Sequence, residues 1–206
     1  VLITRDGAPV AALIDVQLFE RIRRLREDFE RLATTIGQSY AGVDPGTAVT
    51  GYGVIDAGPG PRVRLIECGV VRTPARDPLP VRLRAIRDGM VELLERHRPG
   101  AVAVEDVFYG KNLRTTVVLA HARGVILLTA EEAGVPIAEY PPALVKKAVV
   151  GRGGAAKPQV GYMVAQLLRL TAPPSPDDAA DGVAVALAHH ILSGRQNVRA
   201  AVRRPA

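Results

Sequence analysis

The sequence predicts an α/β chain: a five-stranded mixed sheet flanked by helices, with a small hairpin-helix appendage at its N-terminus. Three observations lead there. Short apolar runs at about 40–44, 50–57 and 62–72 follow one another directly, with turn residues between them. From about residue 80 helical and strand patterns alternate, and residues 1–36 carry turn and periodicity signals of their own. Adjacent strands first, then strands alternating with helices, indicate a mixed sheet covered by helices.

Taken in order, Val1-Leu2-Ile3-Thr4, Arg5-Asp6-Gly7 and Ala8 to Ile14 read as a β-hairpin around an Asp-Gly turn. A charged helix follows from Asp15 to about Leu32, with Phe19, Ile22, Leu25, Phe29 and Leu32 at helical spacing. Thr34 to Ser39 forms the join. After the three strands, a helix is expected from Pro80 to His97, a strand at 101–105, a helix from Leu113 to Ala133 and a strand from Pro136 to Tyr140. Further helices reach about residue 193, one of them beginning near Pro158. The domains read as 1–36, 40–195 and a basic tail at 196–206, where Arg199, Arg203 and Arg204 suggest a solvated, frayed extension.

With 206 residues and 48% apolar content, the chain can bury one good core and carry a small extra segment. Lys and Arg number 27 against 21 acids, a formal charge of +6, which suits an acidic polymer as partner. Cys68 is the single cysteine, so an intramolecular disulfide and a thiolate-rich zinc site are excluded. Its strand setting predicts a buried, inert thiol. Without an apolar run of about 18 residues or a signal-peptide pattern, no membrane association is expected and the location is expected to be cytoplasmic.

Four carboxylates stand where elements end or begin. Asp44 follows Tyr40-Ala41-Gly42-Val43 and is stopped by Pro45-Gly46, while Glu105 closes Ala101-Val102-Ala103-Val104. Asp178 and Asp181 open a helix after Pro173-Pro174-Ser175-Pro176, on one helical face. If the two strands are neighbours and the helix packs beside them, the four acids converge. Such charges repel unless a cation holds them, and all-oxygen ligation suits Mg²⁺ or Mn²⁺. Taken singly, an acid at a helix start also serves as a cap and one after a strand as a turn residue.

Ala41-Gly42-Val43-Asp44-Pro45-Gly46 with Thr50-Gly51-Tyr52-Gly53-Val54, Val104-Glu105-Asp106-Val107-Phe108 with Lys111-Asn112, the stretch Val149 to Lys157, and Asp178-Ala179-Ala180-Asp181-Gly182 together resemble the RuvC family of Holliday-junction resolvases, from about residue 40 to 195. The resemblance implies an RNase H-like fold, a homodimer and paired nicking of four-way junction DNA. It implies two Mg²⁺ ions per site, replaceable by Mn²⁺, on Asp44, Glu105, Asp178 and Asp181, with RuvA–RuvB as a branch-migration partner. Lys146 and Lys157 match catalytic basic positions near the scissile phosphate, and Phe108 an aromatic that reaches junction bases. Lys111, Arg114, Lys147 and Arg152 read as phosphate contacts or as solvated charges. The first strand, Ser39-Tyr40-Ala41-Gly42, is poorer in large aliphatics than the family's.

Gly151 to Lys157 is not a P-loop, because Ala156 and Pro158 flank Lys157 where Gly and Ser or Thr are needed. It reads instead as a mobile loop that closes over DNA. His189 and His190 lie too far along their helix to join the acids and read as packing or surface residues. Residues 1–36 resemble the central and C-terminal part of Phd/YefM-family antitoxins, although an amphipathic helix packing on a domain or partner accounts for them too. Two other functions fit the residues: another RNase H-like nuclease, acting on RNA–DNA hybrid or other branches, and a non-catalytic DNA-binding or antitoxin-like protein.

Overall fold

The computed structural model describes residues 2–5, 8–12, 15–35, 38–58, 62–106 and 113–202, with side chains described at 15–25, 38–58, 62–106 and 113–194. Phe108 and Lys111 lie outside these residues. The chain divides into two compact units, Val1–Gly37 and Gln38–Ala206.

In the first unit, β1 (Leu2–Arg5) and β2 (Ala8–Ala12) form the expected antiparallel hairpin, with Leu2 opposite Ala12 and a register shift between Ile3 and Thr4. The Asp6-Gly7 turn lies outside the described residues. Helix α1 (Val16–Thr35) opens with the Asp15 carboxylate accepting from the Gln17 amide at 3.0 Å, as an N-terminal cap does. Its Phe19, Ile22 and Leu25 are exposed.

The second unit is built on five strands: β3 (Gln38–Asp44), β4 (Val49–Ala57), β5 (Val63–Arg72), β6 (Ala101–Glu105) and β7 (Ile137–Tyr140). Their spatial order is β5-β4-β3-β6-β7. β3, β4 and β5 are joined in sequence by short connections and pair antiparallel, whereas β6 and β7 return through helices and pair parallel. The mixed sheet therefore has β3 at its centre.

Alternation along the strands sends side chains to two cores. Ala41, Val43, Val54, Val102 and Val104 pack with Ile86 and Met90 of α2 (Leu79–His97) and with Ala122 and Ile126 of α3 (Leu113–Glu132). On the other face, Ile55 and Ala103 pack with Val145 of α4 (Pro142–Val150), Val164 of α5 (Lys157–Leu168), and Val183 and Leu187 of α6 (Asp177–Val202). Each fully buried Val, Leu or Ile contributes about 1.5–3 kcal/mol by leaving water. By length and composition alone α3 could cross a membrane. In this fold it buries Ala122, Ile126 and Ala130 against the sheet, and its Arg123 pairs with Asp106 and Glu139.

The small residues of the central strands have a packing reason. A Cβ on Gly42 would stand 2.2 Å from the Ala186 nitrogen and the Gly182 carbonyl oxygen, and one on Gly51 would stand 1.8 Å from the Asp178 carbonyl oxygen. Helix α6 lies with its backbone directly on the backbones of β3 and β4, which only residues without side chains allow. That is why β3 carries glycine rather than an aliphatic residue at position 42. Helix α6 also runs on through Gly194 to Val202, further than the sequence suggested. One glycine costs a helix interior only about 1 kcal/mol, too little to end it.

Candidate metal-binding active site

Asp44 ends β3 and Glu105 ends β6. Because these strands are parallel and pair Val43 with Val104, the next residues on each, the two acids, emerge side by side at the carboxyl edge of the sheet. The turn after Asp44 is braced: the buried Thr50 hydroxyl donates to the Gly46 carbonyl at 2.6 Å, and the Arg82 guanidinium donates to the Thr47 carbonyl at 3.1 Å. The first turns of α6, seated on Gly51 and Gly42, bring Asp178 and Asp181 to the same place. Carboxylate oxygens of Asp44, Asp178 and Asp181 all lie within 4.8 Å of one another.

A cavity of about 250 Å³ opens here, lined by Asp44, Glu105, Asp181, Lys146 and Lys157. Burial raises the Asp44 carboxyl to about 7, with the Asp181 and Asp178 charges adding to the rise and Lys157 opposing it. Burial likewise raises Glu105 to about 8, with Asp44 and Asp181 contributing and Lys146 and Lys157 opposing. The Lys157 ammonium donates to Asp181 at 2.5 Å, and this bond holds its pKa above the usual lysine value. Two lysines thus leave the acids under-compensated. An oxygen-rich cluster with unmet negative charge is the donor set a hard divalent cation takes, so the residues fit Mg²⁺ or Mn²⁺.

The remaining described candidates do not line this cavity. Lys147 is exposed on α4 and Arg114 is exposed at the start of α3. Arg152 donates to the Gln159 side chain at 3.0 Å, and the same Gln159 oxygen accepts from the Ala156 amide at 3.1 Å. The glycine-rich loop is therefore fastened to the first turn of α5, with Ala155 buried beneath it. His189 is a packing residue: its ring meets Tyr40 edge-on at 4.7 Å, its Nδ1 lies 2.8 Å from the Tyr140 hydroxyl, and burial lowers its pKa. Cys68 is partly buried on β5, and burial pushes its thiol up. Sequence reasoning did not assign a structural task to Gly42, Gly51, Gly53 and Gly182, although glycines inside strands are a signal of close backbone approach.

A five-stranded mixed sheet with acids gathered at the carboxyl edge of its central strands, flanked by lysines, defines a metal-dependent nuclease of the RNase H-like class. Comparison with known proteins is specific. The family model described as crossover junction endodeoxyribonuclease RuvC matches residues 40–189. The crossover junction endodeoxyribonuclease RuvC of Pelotomaculum thermopropionicum is 49% identical over 148 residues, covering 72% of this chain and 90% of its own. That of Parafrankia sp. is 53% identical over 148 residues, covering 72% and 83%. The structure of Thermus thermophilus RuvC in complex with Holliday junction substrate matches with a TM-score of 0.73 at 37% identity, covering 77% of this chain and 96% of that one. The chain belongs to the RuvC family of crossover junction endodeoxyribonucleases.

Proposed function

We infer that this protein is a Holliday-junction resolvase, an endonuclease that nicks two strands of like polarity in a four-way DNA junction. The observation that carries this reading is the meeting of Asp44, Asp178 and Asp181 within 4.8 Å, beside Glu105, in a chain of the RuvC family. Asp44, Glu105, Asp178 and Asp181 would hold two Mg²⁺ ions, or Mn²⁺ in their place. When bound, such ions supply an activated water and stabilise the departing oxygen of the phosphodiester. Asp44 and Glu105, whose pKa values are raised by burial and by their neighbours, would have to be deprotonated to hold the ions. Lys157, paired with Asp181, and Lys146 line the same cavity, where their ammonium groups would stabilise charge developing on the scissile phosphate. Phe108 stacks on an unpaired junction base, which is worth roughly 1–3 kcal/mol. Lys111, Arg114, Lys147 and Arg152 contact phosphates, in keeping with the net charge of +6.

Paired incision needs two sites related by a two-fold axis, so the enzyme works as a homodimer. The apolar groove formed by Leu83, Val117, Ala120, Val125 and Leu128 suits part of that interface. By family likeness RuvA–RuvB is its branch-migration partner, and the cytoplasm, where recombining DNA is met, is its location. Residues 1–36, which carry none of the acids or lysines of the site, are read from their sequence resemblance alone as an antitoxin-like appendage.

A panel of labelled four-way junction, linear duplex and RNA–DNA hybrid, each with and without Mg²⁺, tests the reading. Symmetric paired nicks are expected in the junction alone and only with metal. Equal cutting of hybrid or linear duplex would overturn it.

A further inference from the structure

Glu105 and Tyr140 are the last residues of β6 and β7 and are register partners on the final rung of that ladder. β7 is the sheet edge and only 4 residues long, so this acid sits where a sheet opens most easily. The residue that follows it is held twice. The Asp106 amide donates to the Tyr140 carbonyl at 2.9 Å, carrying the pairing one residue past Glu105. The Asp106 carboxylate meets the guanidinium of Arg123 at 3.3 Å, and the same guanidinium nitrogen binds the Glu139 carboxylate. One side chain of α3 thus joins the residue after Glu105 to the residue before Tyr140.

Arg123 sits deeper than its partners, 23% exposed against 47% for Asp106 and 45% for Glu139. Its Nε–H is buried without a hydrogen-bond partner among the described residues. Drawing a guanidinium out of water and leaving one donor unmet consumes much of what the two ion pairs return. Fixed geometry is what remains of the arrangement's value.

We propose that Arg123 is a positioning residue for Glu105, clamping the β6 and β7 ends through Asp106 and Glu139 so that the Glu105 carboxylate faces Asp44. The proposal rests on Glu105 being an acid of the active site. Both ion pairs run through one nitrogen, Nη2, at the end of a rigid planar group set by its packing, whereas a lysine ammonium rides on a flexible stem that does not fix its place.

The test measures Mn²⁺ binding to the protein alone by calorimetry, single-turnover cleavage at saturating four-way junction, and junction affinity without metal. Arg123→Ala is expected to weaken Mn²⁺ binding and to slow cleavage by about 10- to 100-fold, as a misplaced catalytic group does, while junction affinity stays level. Arg123→Lys keeps the charge and should remain impaired. Wild-type behaviour of Arg123→Lys would overturn the proposal, because charge alone would then suffice. So would Arg123→Ala that binds Mn²⁺ and cuts like the wild type. Should Arg123→Ala fail to melt cooperatively, Glu139→Ala decides, since it removes one of the two acids that the clamp joins and leaves the Arg123–Asp106 pair: impaired Mn²⁺ binding supports the clamp, and unchanged binding overturns it. A wild type that leaves junctions intact would instead sink the resolvase reading, while weaker Mn²⁺ binding by Arg123→Ala would still uphold the clamp.

Discussion

At the residue scale, the raised carboxyls of Asp44 and Glu105 make a statement about stability. Their folded values of about 7 and about 8 lie above their ordinary values of 3.8 and 4.5, so the metal-free folded protein holds protons that the unfolded chain has lost. Stability from these groups therefore falls as pH rises toward 8. Burial depresses His189 and His190 below 6.5, and these act in the opposite sense at lower pH. The window that isolates the acids runs from about 6.5 to about 8. In EDTA the melting temperature should drop across it, the drop should shrink in Asp44→Asn, and Mg²⁺ should abolish it. A melting temperature that climbs through this window in EDTA would show that burial and neighbouring acids do not hold Asp44 and Glu105 protonated. Asp44 and Glu105 were legible in the sequence because an apolar run stops abruptly at each. The Lys157–Asp181 pair was not, because nothing in the spacing of residues on two different helices says that their side chains meet.

At the element scale, the seating of α6 decides whether the acids converge. Gly51→Val would drive a side chain into the Asp178 backbone, 1.8 Å from a Cβ at that position, and push the first turn of the helix off the sheet. Overpacking of this kind costs about 1–3 kcal/mol, and cleavage should fall much further than the stability loss explains. Ile126→Val, in the core on the opposite face, should cost about 0.5–1.5 kcal/mol with cleavage retained. Circular dichroism melts and cleavage rates on both variants check the contrast, and a Gly51→Val enzyme of full activity would contradict it. Strands and helices were readable from their periods, with most boundaries differing by a residue or two, although α1 runs on to Thr35 and α6 to Val202, well past the expected ends. The helix-on-strand contact was not, because strand alternation reports which positions are buried and is silent on how closely the covering element lies.

At the scale of the whole molecule, the sequence pattern foresaw the five strands and their mixed directions but left their order open. Alternation alone does not tell whether β6 pairs with β3 or with β5. Pairing with β3 is what sets Asp44 and Glu105 next to each other, and it makes a site from residues 61 positions apart in the chain, by subtraction of their numbers. The chain also divides into two compact units, Val1–Gly37 and Gln38–Ala206. The acids, the lysines and the clamp all belong to the second unit, so the chemistry is expected to reside there.

The central claim is that these acids cut a junction through bound metal, and Asp44→Asn tests it most directly. The substitution keeps the shape of the side chain and removes one negative ligand, leaving the basic surface intact. With Mg²⁺ and saturating protein, single-turnover cleavage of a four-way junction by Asp44→Asn should fall by orders of magnitude while the junction stays bound. Mg²⁺-dependent cutting at the wild-type rate by Asp44→Asn would contradict the account.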